Sequence, residues 1–415
     1  MRTGFFGWRV VAAAFTLAVF GWGVGFYGPP VYLHTVQATR GWSVALVSTA
    51  VTVHFLIGAA VVANLPRLYR RFGLPRTTWI GAVSLAAGVA GWALAREPWQ
   101  LLLASVLSGA GWVAMGAAAV NAIIAPWFIR RRPAALATAY NGASIGGVIF
   151  TPLWVLAIAH LGFAIAAGLI GGIMIVTVGL LACFVLSRTP QAMGQAPDGN
   201  TDLAESSPTL KISSLPGRAL WSDRCFLTLA AAMALGLFAQ IGLIAHLFSL
   251  LVPVLGDAGA GVLMGLATAA AIAGRTLVGW LMPAGGNRRL FAVLNHAVQI
   301  AGSLALIAAG GQHIGLIWIG VLLFGAGIGN TTSMPPLIAQ MEFSEDDIRR
   351  VVPLIVAIGQ AGYAFAPAVF GALRTPGSPD GTAVFVAAVI IQVLAACAYL
   401  AALTPNRRRV AAYDR

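Results

Sequence analysis

Charge is what this sequence is short of. Only 9% of its 415 residues are Asp, Glu, Lys or Arg, while 59% are hydrophobic, and a soluble domain carries about 25% charged residues. That imbalance excludes an ordinary water-soluble globular protein and leaves a polytopic membrane protein. Acidic residues are the scarcest class, twelve against 25 basic ones. The formal charge of +13 does not indicate nucleic acid, because the basic residues fall in short clusters between apolar runs, where the Lys/Arg bias of cytoplasmic loops accounts for them. The three cysteines, Cys183, Cys225 and Cys397, lie far apart in or beside apolar runs, which excludes metal-ligand spacing and a disulfide framework. No HExxH, no Walker-type glycine loop and no convergent Ser/His/Asp set is written in the chain. No enzyme, no cofactor and no metal site is therefore expected.

Apolar runs of about 20 residues, the length of a membrane span, are what the chain has instead. Breaking it at charge and Pro/Gly clusters gives twelve, near 8–31, 43–65, 77–95, 99–124, 134–159, 161–186, 225–252, 259–282, 289–309, 314–338, 351–373 and 383–403. The first begins like a signal peptide, but its apolar run continues past residue 20 without a clear cleavage site, so it reads as a retained helix. Of the 25 basic residues, 21 fall in the tails and the even-numbered connections, and three (Arg40, Arg96, Arg374) in the odd ones. Both termini are expected in the cytoplasm, and the membrane expected is a bacterial inner (plasma) membrane.

The longest connection, polar and rich in Pro, Ser and Gly, has linker composition. The expected organisation is an N-terminal six-helix bundle over 1–186, a cytoplasmic linker over 187–224, and a C-terminal six-helix bundle over 225–415 ending in a short cytoplasmic tail. The halves echo one another: "GAGWVAMGAAAVNAIIAPWF" (109–128) is answered by "GAGIGNTTSMPPLIAQMEF" (325–343), and "PRLYRRFGLPR" (66–76) weakly by "GWLMPAGGNRR" (279–289), at an offset of about 215. Such repetition is typical of repeat-built transporters.

Twelve spans, a central linker and repeated halves resemble the major facilitator superfamily over essentially the whole chain. Within it, "GWRVVAAAF" (7–15), "PWFIRRRPAALATAYNGASIGG" (126–147), "GRTLVG" (274–279) and "GQAGYAFAP" (359–367) resemble the monocarboxylate and oxalate/formate transporter branch. The resemblance implies an all-α membrane fold of twelve transmembrane helices in two six-helix bundles, and it places the branch's anion-binding arginine at Arg275. The chain departs from the pattern in several places. Pro66 and Arg70 stand where the superfamily's loop after span two carries glycine and aspartate. Ala271, the stretch Gly28–Pro30, and Gln360 stand where branch members carry an aspartate or a lysine.

Read without the resemblance, Arg275 is a cation inside an apolar run, at a cost of roughly 2.5–3.5 kcal/mol on translocon scales. It lies about seven residues, roughly 10 Å, from the expected end of its span, so snorkelling to the headgroups is the structural alternative. All twelve acidic residues fall outside the expected spans. A cation in a low-dielectric, water-accessible cavity attracts an anion, and a guanidinium is suited to clamping a carboxylate. His54, His246 and His296 lie within spans, and His246 is the leading candidate for a proton-linked role. Gln360, Tyr363, Asn330, Tyr140, Asn141, Tyr27 and Tyr32 are candidates to line the path, each with packing or interhelical hydrogen bonding as the alternative. The expected function is a secondary transporter that moves a small organic anion, a monocarboxylate, by rocking two bundles about a midplane cavity. Its partners are the substrate anion, the lipid bilayer, and a counter-anion or a proton. The alternative is an exporter of neutral or amphipathic solutes in which Arg275 is structural.

Overall fold

The computed structural model describes residues 5–129, 131–199, 219–282, 286–374 and 381–403. Arg130, linker residues 200–218 and the tail from 404 lie outside these, so the expectations placed on them have no structural counterpart. Among the described residues there are helices and no strands. The α-helices are α1 (Gly7–Gly25), α2 (Gly28–Arg40), α3 (Val44–Phe72), α4 (Leu74–Leu94), α5 (Pro98–Trp112), α6 (Ala117–Ile124), α7 (Arg132–Leu161), α8 (Phe163–Leu181), α9 (Arg224–Leu281), α10 (Arg288–Ala309), α11 (Ile314–Glu342), α12 (Glu345–Tyr363), α13 (Ala366–Ala372) and α14 (Thr382–Leu400).

Taken with their short continuations, these make eleven helices long and apolar enough to cross a membrane. The difference from twelve arises in α9, whose 58 residues cover the expected spans 225–252 and 259–282. A straight helix of that length would run about 87 Å, nearly three times a bilayer's hydrocarbon thickness of about 30 Å. Gly256, at φ 69° and ψ 170°, is the residue inside α9 with non-helical angles. The expected loop around "GDAGAG" is thus a one-residue break, made where glycine tolerates positive φ.

Other breaks follow from sequence just as directly. Gly28-Pro29-Pro30 puts proline in the first turn of α2, where the missing N–H is harmless, and the chain turns out of α1 at Phe26–Tyr27. Span four is interrupted by a 3₁₀ turn over Val113–Met115 and by Gly116. Helix starts are fixed by side chains: Ser43 accepts from Leu46 N, Asp223 from Phe226 N and Ser344 from Asp347 N, each satisfying an orphan donor.

Two compact units form. The first comprises Met1–Ser207 with Leu247–Gly265, the second Pro208–His246 with Leu266–Arg415. The middle of α9 therefore packs with the first unit. Small residues allow it, since a Cβ at Gly261 would lie 3.0 Å from Val155 Cγ2 and one at Gly265 3.2 Å from Val148 O. Asp257, on the same face as these glycines, meets His34 Nε2 at 3.3 Å.

The start of the linker is also part of the first unit. Gln195 Oε1 accepts from Phe6 N at 3.0 Å. The Asp198 carboxylate accepts from Ile129 N and Arg131 N, each at 3.1 Å, while Asp198 N donates to Trp127 O. These contacts dock residues that composition alone reads as loose linker.

The sequence echo is a structural one as well. A Cβ at Gly109 would strike the His54 carbonyl, and one at Gly325 the Ala267 carbonyl. One at Gly88 would strike Ser108 N, and one at Gly302 would strike Phe324 N. Equivalent glycines thus bring equivalent helices into backbone contact in each unit, as expected of duplicated halves.

Candidate functional site

In the second unit, the C-terminal part of α9 presents Ala267, Ala271 and Gly274 to Gly325, Ala326 and Gly329 of α11. A Cβ at Gly274 would strike the Ala326 carbonyl, and one at Gly325 would come within 2.5 Å of Ala267 O. With no side chains between them the two backbones nearly touch, the geometry small residues permit in membrane helices. This closeness decides where Arg275 goes. Its side chain is half-buried, and Nη2 donates to Gly329 O at 3.4 Å. Gly329 lies thirteen residues from the C-terminal end of α11, about 20 Å along its axis, so the guanidinium is held against the middle of the neighbouring helix instead of reaching along α9 to its end.

The Gly329 carbonyl is a point of convergence. Besides Arg275 it accepts from Thr332 Oγ1 at 2.9 Å and Ser333 Oγ at 3.1 Å. Asn330 follows on the same turn and is 2% exposed. His246 is buried, and its Nε2 is 2.9 Å from Pro367 O; a carbonyl only accepts, so this nitrogen carries the proton. Gln360 and Tyr363 stand on a third helix, α12, both half-buried. That helix meets α9 at Gly359, whose Cβ position is 3.2 Å from Leu237. The structure thus brings Arg275 beside Gly329, and His246 beside Pro367. Beyond α13, outside the spans, burial pulls the half-buried Arg374 guanidinium below its usual range.

The remaining candidates belong to the first unit. Tyr32 is 1% exposed, its hydroxyl donates to Val24 O at 3.1 Å, and its ring packs against Trp154 and Phe163. These surroundings are those of its packing alternative. Tyr27 is buried, edge-on to Phe26. Tyr140 donates to Ala117 O at 3.0 Å and accepts from Asn121 Nδ2, and Asn141 is exposed.

Several polar constellations escaped the sequence reading. His54 donates from Nε2 to Gly25 O at 2.9 Å, and its Nδ1 is 2.8 Å from Ser108 Oγ. In the second unit, Gln299 Nε2 reaches Gln240 Oε1 and Thr331 Oγ1, both at 3.3 Å, and Asn295 donates to Gly327 O. Arg289, 2% exposed, donates from Nε and Nη2 to the two Glu342 oxygens at 2.6 and 2.8 Å. Its position in a basic loop explained it fully as a topology signal, which hid the pair.

The duplication supplies one further signal. Arg275 lies eight residues beyond Ala267, as Val62 lies beyond His54, and Gly329 lies two beyond Gly327, as Val113 lies beyond Gly111. The first unit therefore has two valines where the second has the arginine and the glycine beside it.

Comparison with known proteins agrees with this architecture. The family model described as Major Facilitator Superfamily matches residues 11–367. The chain is 26% identical over 384 residues, 90% of its own length and 81% of the relative's, to the MFS transporter asaE of Aspergillus flavus. That relative is fungal and lends no support to the expected bacterial inner membrane. Among solved structures, the nucleoside transporter NupG superposes with a TM-score of 0.70 at 14% identity, covering 98% of this chain and 100% of that one. The D-xylose-proton symporter superposes with a TM-score of 0.73 at 13% identity, covering 97% and 98%. At such identities the likeness is one of fold.

Proposed function

The chain belongs to the Major Facilitator Superfamily, and from that premise we propose that this multi-pass membrane transporter carries a small organic anion, a monocarboxylate, by alternating access. The observation that carries the reading is the placement of Arg275: a guanidinium held at the middle of α11, against a backbone stripped of side chains, at a position where the duplicated half has valine. The first unit closes the equivalent contact with valines alone, so the charge itself serves a need other than packing. A planar fork of N–H donors is matched to a carboxylate. One fixed cation neutralises one carboxylate, and a second would be desolvated against neutral dipoles at several kcal/mol, which favours monoanions. Gln360 supplies an amide donor and acceptor for a hydroxyl or oxo group, with Asn330 and Tyr363 as further hydrogen-bonding company.

The same reading counts twelve crossings, since the break at Gly256 divides α9 into two lengths that each suffice for a bilayer. It places both termini in the cytoplasm from the distribution of basic residues. Exchange against a counter-anion fits better than obligatory proton symport, because the twelve acidic residues fall outside the expected spans and the buried His54 and His246 serve as neutral hydrogen-bonding groups.

A second reading, an exporter of neutral or amphipathic solutes, is favoured by one observation: Arg275 already donates to the Gly329 carbonyl, which is also what a structural arginine would do. A stabilisation screen of the purified protein separates the two. A ligand bound by the folded state alone, at a hundred times its Kd, adds about 2.7 kcal/mol of apparent stability. Small hydroxy- or oxo-monocarboxylates should stabilise the protein and neutral amphiphiles should not; the opposite pattern selects the exporter.

A further inference from the structure

The two units exchange side-chain sizes at one place. In the first unit α3 meets the end of α5 and the 3₁₀ turn at Gly58, whose Cβ would lie 2.7 Å from Trp112 Nε1 and 3.2 Å from Val113 Cγ1. The equivalents in the second unit, four residues beyond Ala267 and two beyond Gly327, are Ala271 and Gly329. The small residue has moved to the opposite helix. The room that a Val113-like side chain would occupy is taken by the Arg275 guanidinium: a Cβ at Gly329 would stand 2.9 Å from Arg275 Nε, 2.9 Å from its Nη2 and 2.9 Å from Ala271 O. Two of these atoms are the flexible end of a side chain and one is backbone, so any side chain at 329 displaces the guanidinium first. Three positions thus differ together between the halves, Gly58/Val62/Val113 against Ala271/Arg275/Gly329, and the difference is what seating a guanidinium requires.

We propose that Gly329 is a positioning residue for anion recognition: its missing side chain seats the Arg275 guanidinium in one orientation, and its carbonyl fixes one of the five N–H donors so that the fork is aimed before substrate arrives. This rests on the anion reading of Arg275. Bidentate recognition demands placement within about 0.5 Å, and a fork pushed aside by a methyl group keeps its charge while losing that match. Gly329 touches the substrate through nothing of its own and acts through Arg275.

Gly329→Ala tests this in a cycle with Arg275→Val, the first unit's own choice. Overpacking costs about 1–3 kcal/mol, so in the wild-type background Gly329→Ala should lower the folded-to-unfolded ratio about 5- to 150-fold, read from SDS titration in mixed micelles. In the Arg275→Val background the same substitution should lower it by a smaller factor, because the guanidinium is no longer in the way and only the Ala271 carbonyl still presses on the new methyl. Counterflow of L-lactate in proteoliposomes supplies the second readout: KM should rise about tenfold or more in Gly329→Ala while the maximal rate changes far less. Equal destabilisation in both backgrounds overturns the seating, and so does a KM in Gly329→Ala within about twofold of the wild-type value. If the wild-type protein carries no carboxylate, the anion reading itself has failed, and the stability cycle still decides whether Gly329 seats Arg275.

Discussion

Arg289 is the buried charge whose removal the structure quantifies most fully. Its guanidinium, 2% exposed, pairs with both oxygens of Glu342 at the end of α11. It also donates to Thr228 Oγ1 at 3.1 Å and Cys225 O at 3.0 Å in the first turn of α9, and to Tyr399 O at 3.4 Å in the last turn of α14. One side chain therefore ties three helices to α10. Arg289→Met removes the guanidinium from a mostly buried carboxylate and one donor each from the Cys225 and Tyr399 carbonyls. Breaking a buried pair costs about 3–5 kcal/mol, and Glu342, 23% exposed, regains some water, which places the expected loss at the lower end of that range. Arg289→Lys keeps a charge but not the fork, so its loss should fall between the two. Removing both partners, Arg289→Met with Glu342→Met, should recover most of the stability, since the penalty lies in the orphaned charge and not in the absence of the pair. SDS titration of the three variants at neutral pH measures all of this. A loss under about 1 kcal/mol for Arg289→Met, or a double variant less stable than the single, would refute the reasoning.

Gln360→Lys adds a second cation to the proposed site and should raise relative affinity for oxalate-like dianions while lowering it for lactate-like monoanions; an unchanged order in competition assays would remove Gln360 from the site. His54 and His246 each hold an Nε2 proton against a backbone carbonyl, a task the neutral ring performs, so an imposed proton gradient should not drive accumulation. If it does, and continues after His54, His246 and His296 are all replaced by Gln, the exchange reading is wrong. Asp198→Ala should free the loop it clamps through Ile129 N and Arg131 N, and trypsin should then cleave after Arg131 several-fold faster in the folded protein; equal rates would mean the clamp is not made in solution.

How far the sequence could be read depended on whether a feature is local. The spans were legible because charge and Pro/Gly clusters interrupt apolar runs, although the run 8–31 was read straight through the break at Gly28-Pro29-Pro30 that separates α1 from α2. The merging of two spans into α9 was not legible: "GDAGAG" has the composition of a loop, and only the angles of Gly256 depart from helix. Linker residues 195 and 198 looked solvated because their partners, Phe6 and the 129–131 backbone, are distant in sequence. The Arg289–Glu342 pair spans 53 residues, and a sufficient explanation for the arginine already existed. For Tyr32 path-lining and packing both stood open in the sequence, because nothing local reveals that its ring meets Trp154 and Phe163. Gly329 was within reach of the sequence, through the "GAG" echo, once the two copies are aligned and their differences are read alongside their identities.

The central claim is that Arg275 is present for an anion. Counterflow of labelled L-lactate in proteoliposomes, comparing wild type with Arg275→Gln and with Arg275→Lys, tests it most directly. Arg275→Gln also relieves an expensive intramembrane charge, so it should insert normally and yet show no counterflow, and Arg275→Lys should be impaired because a point charge does not replace the fork. Wild-type counterflow in Arg275→Gln would contradict the account and make the arginine structural.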